Sequence, residues 1–291
     1  MMLLENSEIR SWTGSGHARH NEDYACIHES SGTMVLIDGA TGLTKANIVV
    51  GTSDAAWYAQ RLAERCALYL GMDVRLQDAL RRAGSEVAEE YLAFPGAETL
   101  QRIDMPNGSL AAARWSGANL EIAMLGDCYA VVETLDETWE LIHDDTLDKL
   151  DQLNYDRMYD YATSRKVSMA EARIALNDCF KANRLRMNEE NGYWAADISC
   201  RGFGHELTKT FVRDSVRSVF VCTDGYAAAV AMGVAKDVVS IAQGVARGEG
   251  ERIGELLRKA ERKDKLCLRV PRSKPSDDAT YAFASFMADK D

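Results

Sequence analysis

Residues 109–142 read SLAAARWSGANLEIAMLGDCYAVVETLDETWELI. Four short strands are legible here: Ser109–Trp115, Asn119–Leu125, Tyr129–Glu133 and Thr138–Ile142. The run LEIAML is apolar at nearly every position, where a strand with one wet face would alternate. Such a strand is covered on both faces, as in a sandwich or between a sheet and helices.

Further strand patterns lie before this block, at Glu8–Thr13, Tyr24–His28 and Thr33–Ile37. Two helices separate them from it. The first is capped by Ser53, carries Asp54 in its first turn and stops near Gly71. The second runs from Val74 to Ala93 and ends before Pro95. After the block, residues 144–191 turn polar, helical and rich in Asp, Arg and Asn, with a capping box at Ser168 and Glu171. Strands return at Leu207–Val212 and Ser218–Cys222, then helices at Lys236–Arg247 and Glu251–Lys263, and a last strand at Ala279–Phe286. The strands do not alternate regularly with helices, which argues against a doubly wound parallel sheet. An α+β arrangement of antiparallel sheets with helices on their outer faces fits the order.

The chain has 291 residues, of which 46% are hydrophobic and 27% charged. That apolar fraction excludes disorder as the dominant state. No apolar run approaches the roughly 18 residues that span a bilayer, so no membrane partner is expected. Met1–Arg10 carries Glu5 and Glu8 and lacks the apolar stretch of a signal peptide. A net charge of -11 argues against nucleic acid as a partner. Seven Cys without a CxxC pair argue against a disulfide scaffold or a zinc site and suit a reducing cytoplasm. Four Pro, no flexible linker and no repeat favour one domain over residues 1–291. The cluster Arg258, Lys259, Arg262, Lys263 and Lys265 reads as a solvated helix end.

Three apolar strands each run into an aspartate beside a glycine: Asp38-Gly39 in MVLIDG, Gly126-Asp127 in IAMLGD and Asp224-Gly225 in VFVCTDG. Asp277-Asp278 opens the last strand and Glu22-Asp23 precedes the second. Any one of these alone is an ordinary turn or surface pair. If they share one sheet system, up to seven carboxylates converge. Like charges require cations between them. Oxygen ligands without His or Cys select magnesium or manganese over zinc.

Taken in order, Arg19-His20-Asn21-Glu22-Asp23, Asp38-Gly39, Asn107-Gly108-Ser109, Gly126-Asp127, Asp224-Gly225 and Asp277-Asp278-Ala279-Thr280 resemble the metal-dependent, type 2C protein serine/threonine phosphatases, and their bacterial members in particular. The resemblance implies an α-β-β-α sandwich: two packed antiparallel sheets flanked by helix pairs, with a helical flap inserted at about residues 144–205. It implies a hydrolase of phosphorylated proteins in signalling, using two or possibly three Mn2+ or Mg2+ ions to activate water. Asp38 would bridge two metals with the Gly39 carbonyl on one of them, and Asp224 and Asp277 would bind the other. Asp127 would hold a third ion. Glu22 and Asp23 would act through metal-bound waters, with Asp278 supporting the ligands. Arg19 would grip the substrate phosphate, making Arg19, Asp38 and Asp224 the catalytic set.

Three departures stand out. Arg19 lies three residues before Glu22 where many members leave four, Ala40 replaces the histidine some members use as an acid, and only Gly42 remains of a glycine pair. A pseudophosphatase acting as a binding module, or a two-metal hydrolase of a small phosphorylated metabolite, are the alternative readings. The flap, with Asp151, Arg184, Arg186 and Asn188, is expected to read the protein around the phosphate while the metals read the phosphate itself.

Overall fold

The computed structural model describes residues 8–44 and 46–286; of Met1–Arg10, only the last three residues fall within them. The strands are β1 (Glu8–Gly14), β2 (Asp23–His28), β3 (Thr33–Ala40), β4 (Asn107–Arg114), β5 (Asn119–Leu125), β6 (Tyr129–Thr134), β7 (Trp139–Ile142), β8 (Ala196–Asp197), β9 (Leu207–Val212), β10 (Val216–Cys222) and β11 (Ala279–Ser285). The helices are α1 (Asp54–Leu70), α2 (Leu76–Leu92), α3 (Thr146–Arg165), α4 (Met169–Ala175), α5 (Asn177–Leu185), α6 (Asp224–Ala227), α7 (Val238–Ala246) and α8 (Gly250–Lys263).

The strands form two antiparallel sheets, β1-β11-β10-β6-β7 and β2-β3-β4-β5-β9, with β8 pairing β4. Side-chain alternation builds the layers. On β3, Met34 and Leu36 face the other sheet, where they join Ala111, Ile122 and Met124 and meet Val219, Val221, Ala282 and Ala284. Val35 and Ile37 point the opposite way, into a core with Tyr58 and Leu62 of α1 and Leu80 and Val87 of α2. On the far side, Val131, Phe220 and Phe283 pack against Ile241 and Val245 of α7 and Leu257 of α8. This is the expected four-layer arrangement, and the LEIAML strand shows why that run is apolar. Its Ile122 and Met124 fill the space between sheets while Ala123 and Leu125 meet the helices.

The caps follow the sequence. The Ser53 hydroxyl accepts from the Ala56 N–H and Gly71 ends α1. Ser168 and Glu171 form the capping box that starts α4. Two short elements were not anticipated: β8, and α6, whose DGYA sequence reads as a turn. Of the basic cluster, Lys259, Arg262, Lys263 and Lys265 are exposed as expected, and one residue departs. Arg258 is not solvated; it donates to Glu261 at 2.8 Å and to the Gly14 carbonyl at 2.6 Å, tying α8 to β1. Among the described residues no helix is long and apolar enough to cross a membrane.

Candidate active site

At one end of the two sheets lies a cavity of about 420 Å³, lined by Glu22, Asp38, Gly39, Asp127, Asp224 and Asp277 among others. Strand register brings the acids together. Asp23 and Asp38 are paired across β2 and β3, and Asp38 is paired with Ser109 across β3 and β4. The Gly39 N–H donates to the Glu22 carbonyl at 3.0 Å, closing the end of that hairpin.

Asp127 follows β5 through Gly126, whose φ of +76° is left-handed. A Cβ there would also lie 2.1 Å from the Ser109 hydroxyl. That hydroxyl donates to Asp127 Oδ1 at 2.6 Å and fixes the carboxylate. Asp224 opens α6 directly after β10, and a Cβ on Gly225 would lie 1.8 Å from the Asp278 carbonyl. Only glycine lets these two segments touch. Asp278 does not line the cavity. Its carboxylate accepts from the N–H groups of Gly16 at 2.6 Å and Glu22 at 2.8 Å. Asp23 is buried below the floor, with Oδ2 accepting from the Thr223 hydroxyl at 3.0 Å.

The electrostatics reflect this crowding. Burial, then Asp23 and Asp224, hold the Asp38 carboxyl well above the usual range. Burial and Asp277 do the same to Asp23. Asp224 is pushed up to about 7 by burial with Asp127 and Asp277. Asp127 is pushed up to about 6, mainly by burial, with the Ser109 hydrogen bond pulling the other way.

Arg19 is exposed and does not line the cavity. Gly16 and His17 are held on Asp278 and the Ser276 carbonyl, and β2 begins at Asp23, so the intervening loop turns outward. The cations that do line the cavity are Arg173, Arg184 and Lys274. Lys274 Nζ lies 2.5 Å from Asp277 Oδ1. Burial opposes its charge, but Asp277 and then Asp224 hold its pKa above the ordinary lysine value. Asp151 and Tyr155 of α3 complete the wall; burial and Asp224 push Asp151 up to about 6. Arg186 and Asn188 serve the local backbone instead, bonding the Asn191 carbonyl and the Ala195 N–H. The sequence held one signal for Lys274, which stands in SKPSDD just before the acidic pair. None marked Arg173.

Among the described residues, no three His, Cys, Asp or Glu side chains already form a preset metal-binding group. The donor chemistry nevertheless fits a hard divalent cation. Every acidic candidate offers oxygen, the buried Asp23 Oδ1 has no hydrogen-bond partner, and the raised carboxyls are offset only by Lys274 beside Asp277 and Arg184 acting on Asp151.

The chain has the fold of the type 2C protein serine/threonine phosphatases. The serine/threonine phosphatase PstP/Ppp of Mycobacterium tuberculosis is 16% identical, covers 96% of this chain and 98% of its own, and superposes with a TM-score of 0.54. Stp1 of Staphylococcus aureus is 12% identical over 99% of this chain and 98% of its own, with a TM-score of 0.56. The catalytic domain of PstP in complex with two manganese ions is 15% identical over 96% and 97%, with a TM-score of 0.51. No protein-family model and no curated protein sequence matches the chain.

Proposed function

We propose that this chain is a metal-dependent protein serine/threonine phosphatase. The observation that carries the reading is the convergence of Asp38, Asp127, Asp224 and Asp277, from four separate segments, on one cavity. Asp38, Asp224 and Asp277, with the Gly39 carbonyl, would hold two manganese or magnesium ions, and Asp127 a third. A metal ion bound there supplies charge for the phosphate oxygens and lowers the pKa of water.

The chain's own residues supply the rest. Ser109 orients Asp127 and Thr223 orients Asp23. Asp278 and the hydroxyl of Thr41 hold Glu22 at the rim. Ala40 has no proton to give, so in this reading a water would protonate the leaving serine or threonine oxygen. The buried thiols Cys66, Cys128 and Cys222 are raised by burial, which keeps them unreactive and favours water as the nucleophile.

A second reading, a binding module on this fold without turnover, has one observation in its favour: Lys274 already neutralises Asp277. Hydrolysis of p-nitrophenyl phosphate and of phosphoserine and phosphothreonine peptides, with Mn2+ or Mg2+ and with chelator, decides between them. Chelator-sensitive turnover is expected. No turnover with either metal would sink the phosphatase reading, and a strong preference for small phosphorylated metabolites would move it to that substrate class.

A further inference from the structure

The charged side chains lining the cavity are mostly acidic, and a phosphomonoester dianion entering it meets carboxylates on several sides. Two arginines share that cavity, and both come from the α3–α5 segment. Among the described residues neither is in an ion pair. Arg184 Nη1 is buried with no hydrogen-bond partner. An unsatisfied buried N–H costs about 1–3 kcal/mol, so such a group calls for an explanation. Arg173 gives one N–H to Asn177 Oδ1 at 2.8 Å, and its guanidinium lies 3.7 Å from the centre of the Phe180 ring. That stacking fixes the plane of the fork and leaves its other donors free.

Both residues have neighbours that line the same cavity. Asn183, next to Arg184, donates to the Leu150 carbonyl at 3.1 Å and ties α5 to α3. The Phe180 that carries Arg173 also lines the cavity. A planar guanidinium matches two phosphate oxygens at once, which an ammonium cannot do.

We propose that Arg184, together with Arg173 of the same cavity, binds the phosphoryl group of the substrate, so that the helical segment supplies the anion grip expected of Arg19. The proposal rests on the phosphatase reading and sharpens it: the segment reads the phosphate itself as well as the surrounding protein. A purely structural role for Arg184, as a counter-charge to Asp151, would move thermal stability and leave phosphate affinity alone.

The test uses the full chain with manganese, p-nitrophenyl phosphate as substrate and inorganic phosphate as competitor. Arg173→Met with Arg184→Met is expected to raise KM and the phosphate inhibition constant tenfold or more, with a smaller change in kcat. Arg184→Lys should recover only part of the loss, and Arg19→Met should raise KM less than Arg184→Met. A folded double variant with both constants within twofold of wild type would overturn the proposal and leave the phosphatase reading standing. If the double variant does not fold, Arg184→Lys decides: a severalfold rise in the inhibition constant supports the assignment, and no change overturns it. If wild type hydrolyses nothing, the phosphatase reading fails on its own. Calorimetric titration of inorganic phosphate then decides the arginines: binding that the variant loses supports them, and equal or absent binding overturns them.

Discussion

The Asp278 carboxylate receives the backbone N–H of Glu22 at 2.8 Å, so the residue that leads into β11 holds in place the loop that brings Glu22 to the cavity. The other oxygen of Asp278 holds Gly16 at 2.6 Å. This buried side chain therefore acts on the site through backbone geometry.

Removing both bonds should loosen Glu22 and destabilise the fold together. Asp278→Ala is expected to cost about 3 kcal/mol, since each charge-assisted bond contributes about 1.5–3 kcal/mol. It should also weaken manganese binding. Asp278→Asn keeps one acceptor and should lose less of both. Denaturant unfolding and calorimetric metal titration read the two effects; an unchanged manganese affinity in the alanine variant would break the link between loop and site.

Asp38→Asn and Asp224→Asn should abolish turnover with little loss of fold. Each removes a carboxyl that burial and neighbouring acids already make costly to ionise. Without metal, the variants should melt at or above the wild-type temperature. With manganese, the wild type should gain stability and the variants should gain much less. Wild-type turnover in either variant would contradict the assignment of these carboxylates.

The same raised acids set a pH dependence. Asp127 is pushed up to about 6 and Asp224 to about 7, from an ordinary 3.8. Between the ordinary value and these, the unfolded chain has released protons that the folded chain still binds. Metal-free stability therefore falls as pH rises from about 4 to about 7. Manganese competes with those protons, so its affinity should rise over the same window. Melting in chelator at pH 5 and pH 8 checks the sign, and the fall should be smaller in Asp224→Asn.

The parts of this site legible in the sequence are those carried by strands. Asp38, Asp127 and Asp224 each follow a buried apolar run and stand beside a glycine, and short-range pairing sets Asp23 against Asp38. The parts not legible depend on how α3–α5 folds back. The buried stripe of α3 is Asn154, Met158 and Ala162, too weak a pattern to show in sequence which face turns inward. Arg173 and Arg184 reach the cavity only through that packing. Arg19 shows the opposite failure. The family resemblance implies a phosphate grip for it, but the bonds of Gly16 and His17 to residues 276–278 turn its loop outward.

Lys274 permits a prediction of opposite sign in two measurements. Its ammonium lies on Asp277, one of the carboxylates assigned to a metal, and neutralises part of the cluster while no cation is bound. A divalent ion that takes Asp277 must break or share that contact. Lys274→Met should therefore lower the melting temperature of the metal-free protein and tighten manganese binding. The pair is partly exposed, so solvent screens it to ~1 kcal/mol. That corresponds to about a fivefold gain in affinity. A phosphate-binding role for this lysine would behave differently, raising KM for p-nitrophenyl phosphate without tightening the metal. Calorimetric titration of manganese into wild type and variant separates the two, and weaker manganese binding in Lys274→Met would refute the competition.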